Sequence, residues 1–335
     1  LSEFLELDNV SKIFKVGTLI SRISIPAVWK VTFSLPERPV IFSLVGESGS
    51  GKSTLANLLL RLIKPTSGEI YLRGKKLEEY SQKEFLRMVQ PIFQNPFESF
   101  NPLKKVETYI FSTARAFSRD GGRNLEENIS RVLASVGISL EQIRGKYPHE
   151  FSGGQLQRLA IARALLADPE LLVADEPVSM LDVSLRVSIL NLFKELRDRF
   201  KKKIIYITHD LATAYYVSDL IAVMLRGTIV EMGPAGVVLN HPLHPYTVLL
   251  RQSVPDISKE SVQTIKVAEE KSKLERKTVS EEYTLSGCKF YLRCPYATQQ
   301  CLEEPPYFQV ENRMVKCWLF QNSQEGGTKH VVEKK

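Results

Sequence analysis

Residues 40–54 read Val40-Ile41-Phe42-Ser43-Leu44-Val45-Gly46-Glu47-Ser48-Gly49-Ser50-Gly51-Lys52-Ser53-Thr54, and this stretch decides the fold. Its second half fits G-x-x-x-x-G-K-[ST] in full. The mostly apolar first half predicts a buried strand, and Leu55, Leu58, Leu59 and Leu62 follow at helical spacing. A glycine-rich turn between a strand and a helix aims backbone N–H groups at phosphate oxygens, and the helix start adds its own unpaired N–H groups and positive dipole end. Gly46, Glu47, Ser48, Gly49, Ser50, Gly51, Lys52, Ser53 and Thr54 are therefore the candidate nucleotide-binding residues of the loop. Lys52 has the reach for the β- and γ-phosphates, and the Ser53 hydroxyl suits Mg²⁺.

Beyond the loop the chain carries further strands with functional groups at their ends. Met88–Gln94 predicts a core strand ending in Gln94, although Pro91 inside it cannot donate to a ladder. Glu170–Asp175 is an apolar run ending in a carboxylate, as expected of a parallel strand buried on both faces. Residues 203–208 and 220–225 predict two more strands, the first leading into His209. Between strands lie helical patterns, such as Ile189, Leu192, Phe193 and Leu196. Alternating strands and helices imply a doubly wound α/β core, in which ligands bind at the carboxyl ends of the strands. The phosphate loop, Gln94, Asp175 and His209 all fall at such ends.

Residues 3–14 are expected to form an edge strand, and 31–35 and 69–74 further pieces of a small antiparallel sheet beside the core. From Asn95 to about Ala167 the chain turns helical and more polar, which predicts an inserted helical subdomain. Near Gly233-Pro234 the composition shifts, and His241-Pro242-Leu243-His244-Pro245-Tyr246 forms a proline-punctuated connection. Asp256–Glu282 alternates charge with few large apolar residues and is expected to be a solvated helix or linker. The last dozen residues are expected to be disordered.

The 335 residues, 43% of them hydrophobic, suffice for two domains with a real core. No run of about 18 uncharged apolar residues is present, so no membrane span is expected. Leu1-Ser2-Glu3-Phe4 lacks a basic region followed by an apolar one, so no signal peptide is expected and the chain is read as cytoplasmic. The net charge of +7 is compatible with nucleic acid, anionic lipid or nucleotide, but its basic residues are spread out and read as solvated surface. All four cysteines lie between Cys288 and Cys317, a clustering that in a cytosolic protein argues for metal over disulfides.

Asp175 and Glu176 stand side by side at a strand end. Asp175 suits Mg²⁺, directly or through water, and Glu176 suits the base that polarises an attacking water. Phe151-Ser152-Gly153-Gly154-Gln155 precedes a helix with Arg158 and Arg163. Ser152 is a fitting N-cap and the glycines bare the backbone, which makes a second anion site. It has no lysine of its own, so it reads as serving another subunit's nucleotide.

These residues resemble the ATP-binding cassette of ABC transporters, in order over residues 10 to 235. Phe151–Gln155 is similar to the family signature, with Phe151 where Leu is usual. Leu171–Glu176 resembles the Walker B strand with its catalytic glutamate. Ser179-Met180-Leu181-Asp182 resembles the D-loop, with Met180 where Ala is common. His209 resembles the switch histidine, Gln94 the Q-loop glutamine, and Phe14 the aromatic that stacks on adenine. The resemblance implies a RecA-like phosphate-loop NTPase core with an antiparallel β subdomain and the inserted helical subdomain. It also implies catalytic roles for Glu176, His209 and Gln94, and Mg²⁺ held by Ser53, Gln94 and Asp175. ATP would lie between one chain's loop and another chain's Ser152, Gly153, Gly154, Gln155 and Asp182, in a head-to-tail dimer. The expected division is a nucleotide-binding domain over 1–235, with its helical subdomain at about 95–167, and an accessory region over 236–335.

Pro148–Gly154, Gln94-Asn95-Pro96 with Asn101-Pro102, and His244-Pro245-Tyr246-Thr247 resemble a narrower group, the ATPases of oligopeptide/dipeptide importers, especially the F-type subunit of paired ATPases. Relatives in that group also serve oligosaccharides and nickel. The resemblance implies a second, homologous ATPase subunit as heterodimer partner. It further implies two transmembrane permease subunits, an extracellular solute-binding protein and a peripheral position on the cytoplasmic face of the membrane. Residues 95–105 would border the permease's coupling helix. Cys288, Cys294, Cys301 and Cys317 are spaced by five, six and fifteen residues, without the short CxxC pairs of zinc ribbons. Their likeness to the group's C-terminal motif implies a [4Fe–4S] cluster, with Zn²⁺ as the alternative and free or disulfide-bonded cysteines as a lesser one. Two other readings stay open at this point: a soluble ABC ATPase acting on nucleic acid or the ribosome, and a nucleotide-dependent Fe–S sensor.

Overall fold

The computed structural model describes residues 3–17, 22–118, 121–253 and 282–324. The chain begins with two long antiparallel strands, β1 (Glu3–Gly17) and β2 (Arg22–Pro36). The fully buried β3 (Ile41–Val45) follows, then the glycine-rich loop and α1 (Lys52–Leu59). Next come β4 (Ser67–Leu72), β5 (Lys75–Lys76), α2 (Gln82–Met88) and β6 (Val89–Ile92). The helical segment contains α3 (Val106–Phe117), α4 (Leu125–Ser135), α5 (Leu140–Ile143) and α6 (Gly153–Leu165). The core resumes with β7 (Leu171–Asp175), α7 (Val183–Asp198), β8 (Lys203–Thr208), α8 (Leu211–Val217), β9 (Leu220–Leu225) and β10 (Thr228–Pro234). Helices α9 (Ala235–Asn240) and α10 (Pro245–Gln252) and the short strands β11 (Phe308–Val310) and β12 (Arg313–Val315) complete the described elements.

Two sheets result. The larger runs β11-β12-β10-β9-β3-β8-β7-β6, and its centre, β9-β3-β8-β7-β6, is parallel. Strands β3 and β8 are buried along their whole length, as a parallel sheet covered on both faces requires. Pro91 is accommodated because β6 is the edge strand of this sheet, where a missing donor costs no ladder bond on the open side. The smaller sheet is antiparallel in the order β2-β1-β4-β5.

Strand β1 departs from its expected edge position. It pairs with β2 on one side, as at Leu7–Phe33, and with β4 on the other, as at Leu7–Ile70, so it is internal. Its alternation of buried Leu5, Leu7 and Val10 with polar residues reports one covered face, which interior and edge strands of a half-exposed sheet share. The buried faces of this sheet, α1 and the larger sheet form one core, with Phe33 stacked on Phe42 at 4.8 Å. A second core joins α3, α4 and α6 to α7 and β7.

The residues after 235 add to the core sheet. Strand β12 pairs with β10 at Glu231–Val315 and Met232–Met314, and Lys316 N–H bonds the Val230 carbonyl at 2.8 Å. Phe290 packs on Tyr246 (5.5 Å between ring centres) in a core that also holds Val45 and Val223. The charged stretch expected as linker lies outside the described residues from Asp256 to 281, as do the final residues from 325. Glu282 departs from that expectation. It is fully buried, and its partners are two arginines distant in sequence.

Candidate nucleotide-binding site

The loop between β3 and α1 is braced from outside by backbone. Gly51 sits at φ +105°, and a Cβ there would lie 2.1 Å from the Ala27 carbonyl oxygen of β2. At Gly46 a Cβ would lie 2.1 Å from the Met224 carbonyl of β9. Both approaches are closer than any side chain permits, so glycine is required by space at two points of the loop. Ser50 N–H bonds Glu47 O at 3.1 Å, Gly227 N–H bonds Ser50 O at 2.8 Å, and Leu55 N–H bonds Gly51 O at 2.9 Å to start α1.

Lys52 curls back over the loop. Its Nζ donates to the carbonyls of Gly46 at 2.8 Å and Glu47 at 2.9 Å. Burial pushes its pKa down, while the negative charges of Glu176, Asp175 and Glu47 push it up. Asp175, at the end of β7, is driven the other way, chiefly by burial and further by Glu176. The Ser53 hydroxyl and Lys52 pull it back. Its Oδ1 is buried with no hydrogen-bond partner. An orphaned carboxylate oxygen beside the Ser53 hydroxyl is the donor set a hard, oxygen-seeking cation takes, so the residues fit Mg²⁺.

Glu176 occupies a left-handed conformation, φ +49°, at the turn after β7. The turn is pinned. Glu176 N–H bonds Ile207 O of β8 at 2.9 Å, and the Ser179 hydroxyl bonds Glu176 O at 3.0 Å. This aims the side chain at His209, which follows β8, with His209 Nδ1 2.7 Å from Glu176 Oε1. Glu176 is 14% exposed and His209 61% exposed, so the pair opens to solvent on the imidazole side. Lys52, Asp175, Glu176 and His209 therefore meet at the carboxyl ends of β3, β7 and β8, at a junction of the kind parallel sheets use for ligands.

Gln94 lies just past β6 at the same sheet end and is exposed. Phe14, in β1 opposite Ile25, is 38% exposed, with Lys12 Nζ 5.4 Å from its ring centre. Ser152 caps α6 in a reciprocal box with Gln155. Gly153 and Gly154 pack toward Leu181 and Leu185, around the N-terminus of α7 where Asp182 stands as N-cap. The signature is thus flanked by Phe151 and Leu156 of the helical core, while the helix after the phosphate loop packs through Leu55, Leu58 and Leu59 into the core beneath the antiparallel sheet.

Several supporting residues escape sequence reasoning. Arg186 Nε bonds Leu181 O at 2.7 Å and braces the turn between Glu176 and Asp182. The Tyr246 hydroxyl accepts Glu47 N–H at 3.0 Å, and Arg293 pairs with the Glu47 carboxylate at 2.9 Å. Glu47 itself is the available signal, being a carboxylate inside a loop built for anions, which demands a neutralising partner elsewhere.

The four cysteines are free thiols that line one cavity of about 110 Å³, together with His244, Tyr291 and Trp318. Burial raises the Cys288 thiol to about 11 and the Cys317 thiol to about 12. As the side chains stand, no three His, Cys, Asp or Glu among the described residues are arranged to hold a metal ion. None of the helices among the described residues is long and apolar enough to cross a membrane.

The fold and the site define a phosphate-loop cassette for nucleotide hydrolysis. The family model for ABC transporters matches residues 29–179, and that for the oligopeptide/dipeptide transporter C-terminal region matches 230–301. The chain is 38% identical over 325 residues to the oligopeptide transport ATP-binding protein AppF of Bacillus subtilis, covering 94% of this chain and 97% of the relative. It is also 38% identical to OppF of Escherichia coli, covering 85% of each. The solved dimer of the cassette MJ0796 in a post-hydrolysis state with ADP and Pi superposes with a TM-score of 0.59 at 28% identity, covering 69% of this chain and 98% of that one. The chain therefore belongs to the ABC ATPases, in the group of oligopeptide/dipeptide transport ATP-binding proteins.

Proposed function

We propose that this chain is the ATP-hydrolysing subunit of an importer for oligopeptides or dipeptides. The observation that carries the reading is the Glu176–His209 pair, held at 2.7 Å at the strand ends that also bear Lys52 and Asp175. Glu176 takes the proton of the attacking water, and His209 orients Glu176 and faces the γ-phosphate. Lys52 exchanges its loop carbonyls for phosphate oxygens. Ser53 and Asp175, with Gln94, would hold Mg²⁺, which neutralises phosphate charge. Phe14 offers an exposed ring to the adenine base.

The closing half of the site comes from another chain. Ser152–Gln155 and Asp182 flank residues of one core and the phosphate loop leads into a helix of another, which supports this, as does the dimeric state of the ADP-bound cassette. The partner is a homologous ATPase, and the pair sits against two permease subunits at the cytoplasmic face, fed by an extracellular solute-binding protein. Residues 1–235 do the hydrolysis, and 236–335 form an accessory region. The names of the relatives support peptides as cargo, and nothing comparable supports oligosaccharides. Cys288, Cys294, Cys301 and Cys317 would hold a [4Fe–4S] cluster, with Zn²⁺ as the alternative. That all four line one cavity as free thiols supports the reading, with a structural role for the group; as the side chains stand they do not meet at one point, so they would have to reorient to bind it.

The test is to coexpress the chain with candidate permeases and the second ATPase and to reconstitute the purified assembly in vesicles. Peptide-dependent ATP turnover and uptake are expected. Retention on nucleic acid at moderate salt, without membrane subunits, would instead favour a soluble ATPase.

A further inference from the structure

The outer wall of the phosphate loop is made by residues far away in sequence. Arg293 ends a short 3₁₀ turn, Tyr291–Arg293, and grips Glu47 with both terminal nitrogens, Nη1 to Oε1 at 2.9 Å and Nη2 to Oε2 at 3.3 Å. Its Nε donates to Glu282 Oε1 at 2.6 Å. Glu282, 0% exposed, also accepts from Arg226 Nε at 2.8 Å, and Arg226, 3% exposed, returns to Glu47 Oε2 at 3.5 Å. Two carboxylates and two guanidinium groups thus close a ring of alternating charge around Glu47. The Arg293 guanidinium also lies over Phe290 (5.1 Å) and Tyr246 (5.7 Å), which fixes its plane. Tyr246 holds Glu47 N–H, and the Tyr283 hydroxyl donates to the Gly49 carbonyl. The C-terminal region therefore touches the loop at a carboxylate, an amide and a carbonyl.

The turn that carries Arg293 is itself tied to the thiol cavity. Tyr291 N–H bonds Cys288 O at 3.1 Å, Cys294 N–H bonds Tyr291 O at 3.3 Å, and Cys288 N–H bonds Cys301 O at 2.9 Å. Arg293 is thus slung between Cys288 and Cys294, two of the four cavity thiols. We propose that Arg293 is a positioning residue for nucleotide binding. Through Glu47 it holds the phosphate loop in its phosphate-receiving shape, and it makes nucleotide affinity depend on the order of the thiol cavity. The inference rests on the nucleotide-site reading. Removing the guanidinium leaves Glu47 and Glu282 with one arginine between them, and so sets an uncompensated negative charge behind a loop that must accept a polyanion.

The test is equilibrium binding of ATP to the full chain, with thermal unfolding as the check on folding. Arg293→Ala is expected to raise the ATP Kd by about tenfold or more. Glu47→Gln removes one of the two carboxylates and restores charge balance, so adding it to Arg293→Ala is expected to cost less than the two single effects multiplied. If Arg293→Ala fails to fold, Arg293→Lys decides. It keeps the charge and loses the two-pronged grip, and a Kd raised about threefold or more is expected. A Cys294→Ala change should raise the Kd in the parent chain and have little further effect beside Arg293→Ala. Kd values within twofold of the parent for Arg293→Ala, or for Arg293→Lys in its place, overturn the proposal, as do strictly multiplicative effects. A parent chain that binds no ATP sinks the nucleotide-site reading and this inference with it.

Discussion

Replacing Gly51 by alanine separates backbone strain from steric blockade in the phosphate loop. The residue sits at φ +105°, where an L side chain costs about 1–2 kcal/mol. The added Cβ would also stand 2.1 Å from the Ala27 carbonyl oxygen. That carbonyl belongs to β2 and is backed by the turn at Gly227, whose own Cβ position lies 3.1 Å from the same oxygen. Trp29 N–H bonds Gly227 O at 2.8 Å and locks strand and turn together, so the obstacle cannot swing away as a side chain would. Overpacking against fixed structure costs about 1–3 kcal/mol, giving about 2–5 kcal/mol in all. Gly49 is the control. It has φ +74°, and its Cβ would meet only the Tyr283 hydroxyl, at an ordinary 3.6 Å. Gly49→Ala should therefore cost only the backbone term, about 1–2 kcal/mol. The assay is guanidinium unfolding of the two variants beside the parent. If Gly51→Ala is no less stable than Gly49→Ala, the bracing of the loop by β2 is wrong.

Three further outcomes are expected. His209→Ala removes the 2.7 Å contact to Glu176 and should lower ATP turnover by about a hundredfold or more while ATP binding is retained, read by steady-state hydrolysis beside equilibrium binding. Burial lowers the His244 pKa from 6.5 to about 3, so between those values the unfolded chain binds a proton that the folded ring refuses. Stability should fall as pH drops, by about 1.0 kcal/mol between pH 6.5 and pH 5.5, and His244→Phe should flatten that part of the unfolding profile. If the four thiols hold the proposed [4Fe–4S] cluster, anaerobically purified chain should be brown and absorb near 400 nm, and serine at any one of the four cysteine positions should bleach it. A colourless protein with stoichiometric zinc would point to the alternative ion.

The strand–loop–helix at 40–59, the apolar strands at 171–175, 203–208 and 220–225, and the polar groups at their ends were legible because each signal is local. Buried parallel strands read as apolar runs, and the loop must contain its glycines. The internal position of β1 was not legible, since alternation reports which face is covered and not how many neighbours a strand has. Strand β12 was hidden for another reason. It joins β10 across about 80 residues of chain, and a three-residue strand has too few positions to show a period. The ring around Glu47 is built from residues 47, 226, 282 and 293, each an ordinary charged residue in its own context. Glu282 in particular ends a polar, charge-rich stretch, and only the fold brings it to two arginines.

In the proposed function Glu176 drives hydrolysis at a nucleotide site formed around Lys52. The direct measurement is ATP turnover of the assembled ATPase pair carrying Glu176→Gln in this chain, with ATP binding to this chain measured on the same sample. Bound ATP at near-parent affinity is expected, with hydrolysis at this site reduced by at least about a hundredfold. Turnover that persists at this site undiminished, or a loss of hydrolysis that merely follows a loss of ATP binding, would contradict that role for Glu176.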